Sequence, residues 1–160
     1  MQIFPVKDDF PSGFYEEFAR LVVAFGRLDY LIKLCVKDLG AGGFTRGMVE
    51  AESQSQFCDL CKKAKERARQ NQKLSQTQVN AFSGLIDQAE DLAEFRNDTV
   101  HALWTTDPNG QPLRIRPKRD KSTNSLDWSR STVVPLCEFQ KKWKQIEDLY
   151  LALEAERKTW

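Results

Sequence analysis

The chain has 160 residues, 41% hydrophobic and 29% charged, with a formal net charge of +1. That length suits one domain with one substantial core, and the near-neutral balance excludes a strongly polybasic nucleic-acid binder by bulk charge. No apolar run of about 18 residues occurs, so no membrane span is expected; Met1–Asp9 lacks the basic flank and apolar core of a signal peptide, which points to a cytoplasmic protein.

Residues 1–11 read as an extended lead-in, with Pro5 and Pro11 bracketing the acidic pair Asp8 and Asp9. Ser12 is placed to cap a first helix, with Glu16 and Glu17 in its opening turn. From Phe14 the residues Phe18, Leu21, Val22, Phe25, Leu28, Ile32, Val36 and Leu39 recur at helical spacing. They predict a helix of roughly 27 residues, about 40 Å long, ended by Gly40, Gly42 and Gly43. Asp29 interrupts this stripe, about 20° from Phe18 on a helical projection. An acid there marks either a wet end of the packing or a carboxylate facing a buried cation.

Thr45 to Gln72 reads as a second helical segment, with Met48, Phe57, Leu60, Cys61, Ala64 and Ala68 on one side. Its C-terminal half carries Lys62, Lys63, Lys65, Arg67 and Arg69, either a solvated face or a track for phosphates. Cys58 and Cys61 have a two-residue spacer, but one such pair is half a zinc site. With Cys35 and Cys137 they are expected as reduced, small core residues, and neither a metal nor another cofactor is expected.

Ser75 and Gln78 predict a capping box for a third helix reaching about Leu103 or Trp104. Its apolar stripe runs through Phe82, Leu85, Ile86, Ala89, Leu92, Ala93, Val100 and Leu103, and Arg96 falls inside it. Asn97 and the only histidine, His101, sit four apart on the flank, where Trp104 joins them if the helix lasts that far. A guanidinium on a core-facing stripe is costly unless paired or held at an interface. Asp29 of the first helix is the expected partner of Arg96.

Asp107-Pro108-Asn109-Gly110 is a turn signal. The flanking segments Ala102–Thr105 and Leu113–Arg116 can pair as a short hairpin, with Arg114 and Arg116 on one face. Lys118, Arg119 and Lys121 follow in a polar loop, and Trp128 and Arg130 lie beyond it. Arg114, Arg116, Lys118 and Arg119 suit RNA backbone contacts; a mobile arm is the alternative. Thr132 and Pro135 open a last helix with the stripe Leu136, Phe139, Trp143, Ile146, Tyr150 and Leu153. Four long helices predict an all-α, up-and-down four-helix bundle, a single domain with a short β-hairpin and basic loop inserted before the last helix.

Arg96, Asn97 and His101, late in a long helix of such a domain, resemble the motif of the HEPN superfamily (higher eukaryotes and prokaryotes nucleotide-binding domains). Its RNase members carry an arginine, a following polar residue and a histidine a few positions later. The resemblance implies a metal-independent endoribonuclease of the toxin or antiviral-effector kind. In that chemistry the 2′-hydroxyl of RNA attacks the adjacent phosphorus, with Arg96, Asn97 and His101 at the reacting phosphate. It also implies a homodimer with a composite site, and an antitoxin or sensor protein as a possible partner. The alternative is a noncatalytic HEPN-like module that binds a partner protein or nucleotide. A third is a structural bundle in which Arg96 is ion-paired and His101 only caps the helix.

Overall fold

The computed structural model describes residues 9–40, 42–120, 125–127 and 131–160. Among them the chain forms α1 (Phe14–Leu39), α2 (Gly43–Glu52), α3 (Phe57–Gln70), α4 (Gln76–Val100), β1 (Leu103–Thr106), β2 (Pro112–Ile115), β3 (Lys118–Asp120), β4 (Ser125–Asp127), β5 (Ser131–Val133) and α5 (Leu136–Arg157). The fold is mostly helical with small antiparallel sheets. Helix α1 packs against each of the other four helices, and α4 also packs against α3 and α5. Phe25, Leu28 and Ile32 of α1 meet Phe82 and Ile86 of α4 and Phe139 and Ile146 of α5 in the core.

Helix α1 begins after Gly13, whose left-handed backbone (φ 89°) forms the N-cap without a side-chain bond, so Ser12 is not the cap. The expected second helix is two helices. Ser53 Oγ and Gln54 Nε2 both donate to the Glu50 carbonyl, at 2.7 and 3.1 Å. Those bonds take up an acceptor that continuing helix would use. Helix α2 crosses the end of α1 so closely that a Cβ on Gly47 would lie 2.8 Å from Lys37 Cα. The chain must then turn at 53–56 before α3 can lie along α4.

Helix α4 starts at the Ser75–Gln78 capping box, with both reciprocal bonds formed. It stops at Val100, short of the expected end. In continuing helix the Thr99 carbonyl would accept from residue 103; here the Trp104 indole N–H donates to it at 2.8 Å. Trp104 thereby swings into the core beside Phe14, Phe18 and Phe139, with ring centres 5.3 to 6.3 Å away. It does not join Asn97 and His101 on the helix flank.

The expected hairpin forms, with Leu103 opposite Ile115 and Trp104 opposite Arg114. Asp107 closes its turn by accepting from the Asn109 and Gln111 amides at 2.9 and 2.7 Å. Two expectations are corrected beyond it. Lys118 and Arg119 lie on β3, paired with β4, not in a loop. Thr132 lies on β5, the third strand of the sheet ordered β1-β2-β5, so α5 begins only after Pro135. Short runs of this kind carry too little periodicity to separate strand from loop. Lys121, Trp128 and Arg130 lie outside the described residues.

Candidate phosphate cleft at the end of the fourth helix

Arg96 occupies the last turns of α4, half-buried, where the apolar stripe would place a core residue. Its guanidinium lies over the Phe25 ring, 4.9 Å from the centre. Phe25 is 2% exposed and packs on Phe57, with ring centres 4.8 Å apart. A flat cation can rest on an aromatic face while its edge donors stay available, which is how this stripe accommodates a charge. One edge donor, Nη1, reaches Asn97 Oδ1 at 2.8 Å.

The expected Asp29–Arg96 pair does not form. Asp29 Oδ2 lies 3.2 Å from Lys33 Nζ, one turn along the same helix, and Lys33 also reaches Glu52 at 3.0 Å. Positions four apart on a helix are neighbours by construction. Arg96 instead covers Phe25, one turn before Asp29, so the two charges are offset along α1. Asp29 therefore has no place among the residues that gather at Arg96.

His101 is the C-cap residue of α4, exposed, with its backbone N–H donating to the Asn97 carbonyl at 3.1 Å. Arg96, Asn97 and His101 all line one open cleft of about 580 Å³, closed on the other side by Gln56, Phe57 and Cys58 at the start of α3. Arg116 reaches the same cleft from the end of β2 and is ion-paired with Asp98. A phosphate lodged there would meet two guanidinium groups, an amide and an imidazole. Those donors suit charge on phosphoryl oxygens, and an imidazole within hydrogen-bond reach can give or take a proton.

The cleft also holds carboxylates that residue spacing alone did not single out. Glu90, Glu94, Asn97, Asp98 and His101 form a polar helical stripe at steps of three and four, so the signal was present in the sequence. Glu90 is held by Lys65 at 2.7 Å, and Asp98 by Arg116. Cys58 belongs to the cleft through folding alone. It and Cys137 are exposed, contrary to the expectation of core cysteines, whereas Cys35 and Cys61 are buried. Burial pushes the Cys61 thiol up to about 12.

Of the four arginines and lysines expected to contact RNA, Arg114 and Arg116 lie along α4, over Phe95 and Asp98 respectively. Phe95 and Asp98 are three apart on one helix face, as expected for arginines sharing one strand face. Lys118 and Arg119 have their backbones paired with Asp127 and Leu126. Three basic residues of α3 are committed elsewhere: Lys63 and Arg67 to Glu50, Lys65 to Asp87 and Glu90. That favours a solvated, ion-paired face there. A larger recess of about 780 Å³ lies where α1, α3 and α5 end. Its Arg157 is bound to Asp38 and Glu154, at 2.7 and 2.9 Å, and Arg67 to Glu50, so its guanidinium charge is already met.

The chain matches no known family profile, no curated protein and no solved structure.

Proposed function

We propose that the chain is an HEPN-like, metal-independent endoribonuclease. The observation that carries this reading is the convergence of Arg96, Asn97, His101 and Arg116 on one cleft. In the proposed reaction the RNA 2′-oxygen forms a bond to the adjacent phosphorus as its proton is removed. The bond from phosphorus to the 5′-oxygen breaks, and that oxygen takes up a proton. The products are a 2′,3′-cyclic phosphate and a 5′-hydroxyl. Arg96 and Arg116 stabilise the charge building on the phosphoryl oxygens, and Asn97 orients Arg96. His101 moves a proton at one of the two oxygens. One imidazole does not readily serve both in a single pass, so the reading includes a homodimer that brings two clefts together. Val100 and Leu103, 38% and 43% exposed on either side of His101, offer an apolar margin for such a contact. In this reading α1, α3, α4 and α5 are the four bundle helices, α2 bridges two of them, and the strands are an insertion.

The test is cleavage of single-stranded RNA by the purified chain, with product ends identified by mass spectrometry and the oligomer by light scattering. His101→Ala is expected to abolish cleavage and keep the fold; a strict monomer, or unimpaired cleavage by His101→Ala, would overturn the reading. A noncatalytic module that binds a nucleotide or a protein, such as an antitoxin or sensor, is the second reading. The presence of Glu94 and Asp98 in the cleft favours its protein-binding form, because carboxylates weaken the attraction for phosphate.

A further inference from the structure

Lys142, on α5, stands apart from the basic residues that sequence spacing picks out, yet its Nζ lies 5.5 Å from the Phe95 ring centre. The Arg114 guanidinium carbon lies 5.7 Å from the same centre. Three elements converge there: α4 supplies the ring, β2 the guanidinium and α5 the ammonium. Among the described residues no carboxylate is ion-paired with either cation, and Arg114 Nη1 is buried without an acceptor. Burial also pulls the Arg114 guanidinium below its ordinary value, as expected for a cation lacking a counter-charge. Both side chains are only half-buried, so an anion at their exposed atoms would meet positive charge that no carboxylate among the described residues offsets.

This spot adjoins the cleft. Phe95 and Asp98 are neighbours on α4, and Arg116 is anchored on Asp98. Lys142 and Arg114 at Phe95 and Arg116 at Asp98 therefore follow one face of α4, and Arg116 lines the same cleft as Arg96. A row of cations beside an aromatic ring suits an extended phosphate backbone better than a single small anion. Lys142 also lines a groove with Asp91 and Asp148, whose carboxylates would repel phosphate, so the row ends at Lys142.

We infer that Arg114 and Lys142 form a second phosphate subsite, which holds the backbone of single-stranded RNA leaving the Arg96–His101 cleft. The subsite deepens the RNA reading of that cleft and rests on it. Equilibrium binding of a long labelled single strand to the whole chain, titrated with salt, tests it. Lys142→Gln is expected to weaken binding and to lower the slope of log affinity against log salt by about 0.7, the value of one single-strand phosphate contact. Lys144→Gln, at an exposed position of the same helix, is expected to leave the slope unchanged. If the parent binds RNA and Lys142→Gln keeps its slope, or if Lys144→Gln lowers it as much, the subsite is overturned and the cleft reading stands. If the parent binds no RNA, the cleft reading falls and the subsite with it.

Discussion

Arg96→Ala separates a residue that holds the fold from one that acts on a phosphate. The side chain gives the fold a cation–π contact with Phe25 and a hydrogen bond to Asn97. A contact of the first kind contributes about 0.5–2 kcal/mol and one of the second about 0.5–1.5 kcal/mol. Loss of both should cost about 2 kcal/mol, which lowers the melting temperature by about 4–8 °C for a chain of this size. The expected catalytic loss is larger, about 10²–10³ in rate, the usual effect of removing a preorganised donor to a developing anion. Arg96→Lys sharpens the comparison. An ammonium can still sit over Phe25, so most of the stability should return, but it cannot reproduce a planar fork of donors, so the rate should stay depressed. Thermal melts by circular dichroism and initial cleavage rates at 25 °C supply both numbers. If Arg96→Ala cleaves within about threefold of the parent, a barrier change of only about 0.7 kcal/mol, Arg96 is a structural residue. If it fails to fold, the Phe25 contact is far stronger than this geometry allows.

Three further outcomes follow from other contacts. Asp29→Ala should cost only about 0.5–1 kcal/mol in chemical denaturation, the worth of a partly exposed pair with Lys33; a loss near 3–5 kcal/mol would mean that it leaves a buried cation orphaned. Burial would raise the Glu50 carboxyl, but hydrogen bonds from Arg67 and Lys63 outweigh it and hold Glu50 below the ordinary value. Its stabilisation is therefore complete above about pH 4.3 and lost as pH falls through the lowered folded value. Glu50→Gln should flatten the acid limb of the stability profile, and an unchanged limb would refute the assignment. A thiol-alkylating reagent on the native chain should modify Cys58 and Cys137 and spare buried Cys35 and Cys61, a pattern readable by peptide mass spectrometry; labelling of Cys61 ahead of Cys58 would contradict the packing of α3.

The long helices were legible because many residues vote on one period. Phe14 to Leu39, the Ser75–Gln78 cap and the stripe of α5 from Leu136 to Leu153 all depend on contacts within a turn or two of chain. The hairpin was legible too, since Asp107 and Gly110 build its turn locally. The spacing of Arg96, Asn97 and His101 was visible for the same reason: they are neighbours on one helix. What the sequence left open was decided between elements. The Thr99 carbonyl had two possible donors, and Trp104 took it because the core offered its ring a place among Phe14, Phe18 and Phe139. The partner of Arg96 turned on the offset of α4 along α1, a few ångströms that brought it to Phe25 instead of Asp29. Cys58, Lys142 and the anchoring of Arg116 on Asp98 owe their places to packing of chain segments far apart in sequence. Periodicity reports which face of a helix is buried, because burial repeats with the helix. It carries no record of which side chain on the next element fills the space opposite.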